Sequence, residues 1–543
     1  MNYKSFAIYT TLTAGILLQG CEKSKFLDTA PLNAITAASV FSKPELAKAN
    51  LLTIYGLMPQ YLGRGGGIIF DMNTRDAAHS FGGLLTGNLR GNNYNAGAGS
   101  MEYNLGGQWA INFENIRQAN TFLAGVEGSS FDEPVKKGFR SEGRFLRAAF
   151  YLELYSFYRG VPIITTPQSL QDSAAYKVTR NTAAETIQFI VNEFEEASAD
   201  LPVQWKGEDK GRAEKGASLA MEVRALLYKA SLTNDQAAYQ QAAAVAQRVL
   251  DLNTYSLYPD YGKMFFDKSD NNREFIVAYN TEPRQINGAP DWALVNAPES
   301  GGAWGGGMPS QNLVDQFEMT DGKLPAVSPL YDPQDPYKNR DPRFEASIYH
   351  QGSTFKGVPL QFYVGGKDYI VGGNQSTGYY IKKAIDETIA NYYEYGVTSQ
   401  HFLQPILRYA DLLLMYAEAL NETGKTDDAA IYVNQVRARP GVNMPALPTG
   451  LNEKEMREKI RHERQIELNF EEMRYHDIRR WNIAKEVSEG PLYGAKITRN
   501  GDGSFTYGTQ LIETRTFEQK YTLLPIPQEE INKNPNIEQN DGF

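Results

Sequence analysis

The chain has 543 residues, of which 64 are acidic and 54 are Lys or Arg, so its formal net charge is −10. A chain of this length buries a large core and has room for more than one domain. The acidic balance argues against nucleic acid as a partner and against electrostatic attachment to a membrane. Cysteine occurs once, so disulfides do not hold the fold together and its stability must come from packing.

The N-terminal segment has the layout of a secretory leader. Lys4 is followed by an apolar run that is shorter than the about 20 residues of a membrane-spanning helix. The run ends in LLQGC, where Gly20 and Cys21 resemble a bacterial lipobox, in which the thiol receives a lipid and the chain is cleaved before it. We predict a signal peptide over residues 1–20 and a lipidated tether over residues 21–35, with the lipid holding the protein to a membrane. The alternative is an ordinary signal peptide with an incidental cysteine.

Two segments of the N-terminal half carry apolar residues at helical spacing. SEGRFLRAAFYLELYSFYRG ends at Gly160 and Pro162, which stop a helix. TAAETIQFIVNEFEEASADLP ends in the same way at Pro202. The residues predicted to face inward are Phe145, Ala148, Ala149, Leu152, Ile187, Ile190, Phe194 and Ala197.

Two further segments predict pairs of antiparallel helices. In the first, the turn TND joins KGASLAMEVRALLYKASL to DQAAYQQAAAVAQRVLDL, and their many alanines favour close helix packing. In the second, residues 405–439, the turn TGK joins two helices and Pro440 ends the pair. Its apolar stripe consists of Ile406, Ala410, Leu413, Ala417 and Leu420. Both pairs are similar to tetratricopeptide repeats, although their period is irregular, so we predict a helical scaffold.

Two regions have a different texture, dense in Gly, Pro, Asn and aromatic residues. One covers residues 255–380 and includes NGAPDWALVNAPESGGAWGGGMPS, and the other covers residues 63–100 and includes RGNNYNAGAGS. Long irregular segments are costly to order, and in compact proteins they usually serve function. We therefore predict that the helices are framework and that these two regions form the ligand-binding surface.

Nine segments occur in order between Cys21 and Phe543: FLDTAPLNAIT, GRFLRAAFYLELYSFYRGVPII, RNTAAETIQFIVNEFEEA, GRAEKGASLAMEVRALLYKASL, PSQNLVDQFEMTDG, NRDPRF, LRYADLLLMYAEALNETG, RHERQIELNFEEMRYHDIRRW and LLPIPQEEINKNPNIEQNDGF. Together they resemble the SusD/RagB outer-membrane lipoproteins of Bacteroidetes. One departure is Glu472 in FEEMR, where relatives usually carry glycine, so the break between two helices is expected to differ there.

The resemblance implies a mostly α-helical fold around four tetratricopeptide-like helix pairs, with long irregular ligand-binding loops. On this basis residues 36–254 form an N-terminal helical region, residues 255–380 a loop-rich ligand-binding region and residues 381–543 a C-terminal helical region. The resemblance also implies a protein that binds its ligand without cleaving it and needs no cofactor. Its implied partner is a SusC-type TonB-dependent outer-membrane transporter, which this protein would cover as a hinged lid at the cell surface.

The most tempting catalytic segment is RHERQIELNFEEMRYHDIRR at residues 461–480. Its two histidines, His462 and His476, are fourteen residues apart, whereas a zinc-protease helix needs them four apart. We interpret the segment as a ladder of exposed i+3 ion pairs, each worth about 0.2–0.5 kcal/mol. The pairs are Arg464 with Glu467, Arg474 with Asp477, and Asp477 with Arg480.

Other catalytic and metal-binding motifs are absent from the sequence. There is no Gly-x-Ser-x-Gly elbow and no phosphate-binding Gly-Lys-Ser/Thr loop. Asp332, Asp335 and Asp341 lack the spacing of a calcium loop, so we predict no metal site. A glycosidase needs only two carboxylates from anywhere in the fold, so the sequence does not exclude one.

The resemblance implies an oligosaccharide or polysaccharide as the ligand, and aromatic rings can stack on sugar C–H faces while neighbouring amides bond the hydroxyls. The predicted contacts lie in the two irregular regions and are Trp292, Trp304, Tyr94, Asn92 and Asn93. We predict that they converge on one platform although about 200 residues separate the two regions. Trp109 and Trp481 lie in helical patterns and are predicted to be core. A peptide ligand is the alternative, and a glycan-degrading enzyme a more distant one.

Overall fold

The computed structural model describes most of the chain, namely residues 37–59, 75–79, 107–169, 177–280, 292–369, 371–372, 374–375, 377–390, 392 and 403–543. The predicted lipid anchor Cys21 and the predicted ligand contacts Asn92, Asn93 and Tyr94 lie outside these residues. Within the described residues, no helix combines the length and the apolarity needed to cross a membrane.

The N-terminal half is built from helices that pack against their neighbours in sequence. They are α1 (Ala37–Val40), α2 (Pro44–Tyr55), α3 (Gln108–Glu127), α4 (Glu133–Tyr158), α5 (Ala183–Asp200), α6 (Lys215–Thr233) and α7 (Gln236–Asp251), with a 3₁₀ turn at Gly207–Asp209. From α3 onward each of these helices packs against the next. The predicted helical scaffold is therefore confirmed, and the first predicted pair is α6 with α7.

Helix α5 shows how local sequence sets a helix. The Thr182 hydroxyl accepts a hydrogen bond from the Glu185 backbone N–H at 3.2 Å, while the Glu185 carboxylate accepts one from the Thr182 N–H at 2.8 Å. This capping box satisfies two backbone donors at the start of the helix. The helix ends two residues before Pro202. Its four predicted inward-facing residues are all buried, as are those of α4.

The central region, residues 275–381 together with the strand at residues 77–79, consists of short strands and short helices. The strands are β1 (Ala77–His79), β2 (Phe275–Asn280), β3 (Gly307–Pro309), β4 (Ile348–Tyr349), β5 (Thr354–Phe355), β6 (Val358–Pro359), β7 (Val371–Gly372), β8 (Asn374–Gln375) and β9 (Tyr380–Ile381). The helices are α8 (Trp292–Asn296), α9 (Gln311–Val314) and α10 (Pro342–Ser347), with a 3₁₀ turn at Glu299–Gly301. Eight of these strands form two-stranded antiparallel pairs, β1–β3, β4–β9, β5–β6 and β7–β8. The partner of β2 lies in the C-terminal region.

The C-terminal region returns to helices and adds a long hairpin. Its elements are β10 (Leu403–Arg408), α11 (Tyr409–Glu422), α12 (Thr426–Arg437), α13 (Glu453–Glu467), α14 (Met473–Arg480), α15 (Ala484–Ser488), β11 (Gly490–Arg499), β12 (Phe505–Arg515), a 3₁₀ turn at Gln519–Thr522 and α16 (Gln528–Lys533). Helices α11 and α12 form the second predicted pair, and α11 also packs on α7 and α13. The β11–β12 hairpin was not predicted from the sequence.

One predicted boundary is wrong, because Pro405 to Arg408 form a strand and not the first turn of a helix. Strand β10 pairs antiparallel with β2, more than 120 residues away in sequence. The Tyr409 N–H continues this pairing by donating to the Glu274 carbonyl at 2.7 Å. Ile406 is still buried, so the apolar pattern identified a core residue, while a distant strand decided the backbone conformation.

Two hydrophobic cores lie side by side. The first joins helices α2 to α7 with α11 to α14 and the C-terminal segment, and it contains most of the aromatic residues of α4. The second is built from the central region and the inner face of β11, including Trp292, Phe317, Tyr349 and Ile497. The helical framework and the loop-rich region therefore have separate cores.

A buried ion-pair network joins the two cores, and it corrects the prediction of an exposed charge ladder. Glu467 is fully buried and accepts hydrogen bonds from Arg343 at 2.9 Å, Arg408 at 2.7 Å and Arg439 at 2.6 Å. Burial opposes its ionisation, but the charges of Arg439, Arg408 and Arg343 hold the pKa of Glu467 well below its usual range. Because Arg343 comes from the central region and Arg408 from β10, one carboxylate connects three parts of the fold.

The predicted i+3 pairs are only partly present. Asp477 and Arg480 form one of them at 2.9 Å. Arg464 lies on α13 but pairs with Asp477 of α14 at 2.8 Å, and Arg474 lies 3.4 Å from Asp76. These side chains are buried or nearly so, so the segment works through contacts between elements and not along one exposed helix.

The break between α13 and α14 is retained despite Glu472. This residue has φ of 64°, in the left-handed region that glycine favours. The backbone therefore makes the turn that a glycine would make, and the expectation of a different break is not met.

Candidate functional site

The two irregular regions meet in the structure at a short antiparallel ribbon. Strand β1 belongs to the first region and β3 to the second, and they pair with Ala77 opposite Pro309 and His79 opposite Gly307. More than 200 residues of sequence separate the two strands. The ribbon therefore brings the segment that leads toward residues 92–94 next to the segment that carries Trp304.

The ribbon is tied to the helical framework by buried polar contacts around Asp76. The Ser310 N–H donates to the Asp76 carbonyl at 2.9 Å, and the Ser310 hydroxyl donates to the Arg75 carbonyl at 2.5 Å. On its other side the Asp76 carboxylate accepts hydrogen bonds from Gln465 of α13, at 3.0 Å to each oxygen. Asp76 thus links the β1–β3 ribbon to helix α13.

Trp304 lies at the surface end of a folded-back segment. Its backbone N–H donates to the Leu294 carbonyl at 2.8 Å, and the Gly305 N–H donates to the Ala297 carbonyl at 2.9 Å. Gly305 has φ of 58°, and a Cβ there would lie 2.7 Å from the Tyr380 ring, so a larger residue does not fit. Trp304 is partly buried and packs against the second core.

Trp292 is placed differently from the prediction. It begins helix α8, is only 1% exposed and donates from its indole Nε1 to the Lys383 carbonyl at 3.0 Å. Its ring belongs to the second core, so the expectation of a loop-surface position is wrong. Segments distant in sequence, including the one that carries Lys383, supply the packing that buries it.

Trp109 and Trp481 are buried, which confirms the prediction that both are core residues. Tyr94, Asn92 and Asn93 lie outside the described residues, so the platform that they would share with Trp304 stays a prediction.

A further aromatic group beside the Trp304 segment was missed by the sequence reasoning. Gly301 lies against the ring of Phe355, which stacks on Tyr392 with centroids 6.3 Å apart. The Lys356 ammonium sits over the Tyr392 ring, 4.1 Å from its centroid. Nearby, burial and the Asp368 charge raise the pKa of Glu299. No local pattern predicts this group, because its members come from three segments that are far apart in sequence.

The residues considered for metal binding or catalysis have structural roles. Asp341 caps α10 by accepting from the Arg343 N–H at 2.9 Å, and Asp332 accepts from the Gln334 N–H at 2.9 Å. His462 bonds the Gln316 carbonyl through Nε2 at 2.8 Å. Among the described residues, no group of three or more His, Cys, Asp or Glu side chains has metal-binding geometry.

A family model described as the SusD family matches residues 263–543, which is more than half of the chain. The chain belongs to the SusD family. A second model, described as starch-binding associating with outer membrane, matches residues 25–227. The two matches together cover most of the chain and confirm the family resemblance seen in the sequence.

Individual relatives and solved structures agree with this assignment. A SusD-like protein from Bacteroides ovatus is 23% identical, over 98% of this chain and 97% of the relative. A solved SusD-like protein from Bacteroides fragilis has a TM-score of 0.79 at 27% identity, covering 95% of this chain and 100% of that one. A SusD-like carbohydrate-binding protein from the same species has a TM-score of 0.77 at 26% identity, covering 92% of this chain and 100% of that one.

Proposed function

We propose that this SusD-family protein binds oligosaccharide or polysaccharide at the cell surface and delivers it to a SusC-type TonB-dependent transporter, which it covers as a lid. The observation that carries the proposal is the similarity, over 92% of the chain, to a solved SusD-like carbohydrate-binding protein. Such a protein would act by binding, without cleaving its ligand.

We place the proposed binding surface at the β1–β3 ribbon and the adjoining Trp304 segment. Trp304 is a partly buried aromatic residue on a segment held by backbone hydrogen bonds, and Tyr94, Asn92 and Asn93 follow β1 in the adjoining region. Stacking on an aromatic ring accepts sugars of different chain length, and amides bond their hydroxyls. We assign Trp292 a supporting role beneath this surface, because its ring fixes α8 and thereby the start of the Trp304 segment.

The proposed attachment is a lipid on Cys21. Removal of residues 1–20 would leave this cysteine at the N-terminus, and the acidic chain offers no electrostatic alternative for membrane binding. The family description that mentions the outer membrane supports this location. We propose that this lipid holds the protein beside the transporter, which it covers as a lid.

The test is binding to a panel of purified polysaccharides and peptides, measured by affinity electrophoresis and calorimetry. Trp304→Ala should weaken binding of the identified glycan about tenfold or more, since stacking on one ring contributes about 1–3 kcal/mol. Tyr432→Ala is the matched control, because Tyr432 is a similarly part-buried aromatic residue that lies on α12 of the helical framework. Binding of peptides and of no glycan would replace the proposal with peptide uptake, and release of shortened sugars from bound glycan would indicate an enzyme.

Partnership with the transporter is tested by co-purification of the tagged protein from outer membranes. The SusC-type transporter should be recovered together with the full-length chain when the membranes are solubilised in mild detergent. If the protein purifies alone from membranes that contain the barrel, the lid role is wrong, whatever the result of the glycan panel.

A further inference from the structure

The helical framework contains a cavity that is formed by other elements than those of the Trp304 surface. It is bounded by the end of α6, the start of α7, the end of α11, helix α13 and Trp481 after α14. Its volume is about 410 Å³, within the range of about 300–1,000 Å³ typical of small-molecule sites. All its lining residues belong to the described part of the chain.

The carboxylates in the cavity wall already have strong partners. Glu418 accepts from Arg480 at 2.7 Å and from the Trp481 indole at 2.9 Å. Glu422 is held by Arg457 through two hydrogen bonds of 2.5 and 2.6 Å. In each pair the carboxylate is bonded by two nitrogens of one guanidinium. Glu418 and Glu422 therefore form part of the cavity wall and have little capacity left to bind a cationic ligand.

The hydrogen-bonding capacity that remains comes mainly from donors. Tyr239 lines the cavity and is only 5% exposed, but its hydroxyl oxygen is not fully buried and forms no hydrogen bond with any residue that the structure describes. Arg461 also lines the cavity, and its Nε is buried without an acceptor among the described residues. Its one ion pair, with Glu458, is 3.3 Å long and exposed. Lys454, exposed at the rim, adds a further positive charge.

Arg461 is also held in position for a ligand. Its guanidinium lies over the Trp481 ring, 5.0 Å from the centroid, and Arg480 lies 4.7 Å from the same centroid. A guanidinium fixed on an aromatic ring loses little freedom when it binds an acceptor. The buried Nε of Arg461 has no acceptor among the described residues, which is costly. A ligand that supplies acceptors would bond Arg461 and would also find the Tyr239 hydroxyl at the cavity wall.

We propose that this cavity binds a small organic monocarboxylate of about one sugar ring in size, with a hexuronate as the best match. The carboxylate accepts from Arg461 and Tyr239, and the ring hydroxyls donate to the exposed carboxylate of Glu458 in the cavity lining. A phosphate dianion fits less well, because Glu418 and Glu422 place negative charge beside Tyr239, where they add to the effect of burial in raising its pKa. Neutral sugars lack the charge that Arg461 requires.

The experiment measures the affinity of the purified protein for D-glucuronate, D-glucose and inorganic phosphate by calorimetry or ligand-observed NMR. Glucuronate should bind, and glucose and phosphate should each bind at least about tenfold more weakly. Tyr239→Phe removes only the hydroxyl and should weaken glucuronate binding about tenfold, as should Arg461→Gln. Lys459→Gln is the matched control for charge, because Lys459 is on the same helix but lies 3.8 Å from Glu318, outside the cavity.

Trp304→Ala separates this site from the proposed glycan surface, since it should leave glucuronate affinity unchanged. The proposal is overturned if glucuronate does not bind at millimolar concentration, or if glucose or phosphate binds equally well. It is also overturned if Tyr239→Phe, which preserves the packing of the ring, binds glucuronate as the parent does. Failure of the glycan panel would leave these outcomes unaffected.

Discussion

Replacing Glu222 by glutamine should stabilise the protein at neutral and alkaline pH. Glu222 lies on α6, is fully buried, and neither of its carboxylate oxygens has a hydrogen-bond partner in the described part of the chain. Burial, together with the neighbouring Glu195 carboxylate, raises the pKa of Glu222 to about 9. Glu195 itself is tied to Arg248 of α7 at 2.7 Å, so its charge is fixed beside Glu222.

The sign of the effect follows from which state keeps the proton. Between pH of about 4.5 and about 9 the folded protein retains a proton on Glu222 that the unfolded chain releases. The free energy of unfolding therefore falls as pH rises through this window, by up to about 1.4 kcal/mol per pH unit. By pH 7 the loss is about 3 kcal/mol, an upper value because local relaxation and water reduce the penalty. Glutamine has the same shape without the titration, so Glu222→Gln removes this loss.

The assay is urea unfolding followed by circular dichroism at pH 5, 6, 7 and 8. Glu222→Gln should match the parent near pH 5 and exceed its free energy of unfolding by about 2–3 kcal/mol at pH 7, with a larger difference at pH 8. Glu208→Gln, at an exposed turn, is the control and should stay within about 0.5 kcal/mol of the parent. A difference between Glu222→Gln and the parent that does not change with pH would refute the reasoning.

Three other changes test the network, the helix break and the anchor. Glu467→Ala should lower the free energy of unfolding by about 3–5 kcal/mol, because it leaves three buried arginines short of a partner. Glu472→Gly should be more stable than Glu472→Ala by about 1 kcal/mol, because only glycine adopts φ of 64° without strain. Cys21→Ala should leave the melting temperature unchanged and release the protein from the membrane fraction.

Each of these has a clear contrary result. A loss below 1 kcal/mol for Glu467→Ala would mean that water replaces the carboxylate, and equal stability of the two Glu472 variants would mean that the left-handed turn carries no strain. The anchor is wrongly assigned if Cys21→Ala still sediments with outer membrane in cells that lack the transporter. Unfolding curves give the first two results and membrane fractionation gives the third.

The sequence alone determined helices α4 to α7, α11 and α12, the inward faces of α4 and α5, and the family. In α5 the capping box, the apolar spacing and the stop before Pro202 act within a few turns, so neighbouring residues are enough to decide them. The same holds for Trp109 and Trp481, whose helical surroundings predicted their burial. The separation of framework from irregular regions was also visible, because Gly, Pro and Asn act on the local backbone.

Only the tertiary structure decided which charges are buried and which tryptophan stays at the surface. Trp292 and Trp304 lie in similar sequence, yet the Lys383 carbonyl, 91 residues further along, accepts from the indole of the first while the second remains half-buried. In the same way, Glu467 finds arginines from distant segments in place of the helical neighbour predicted for it. The free energy of burying a ring or a charge depends on the surface that approaches it, and that surface is supplied by parts of the chain that no local pattern connects.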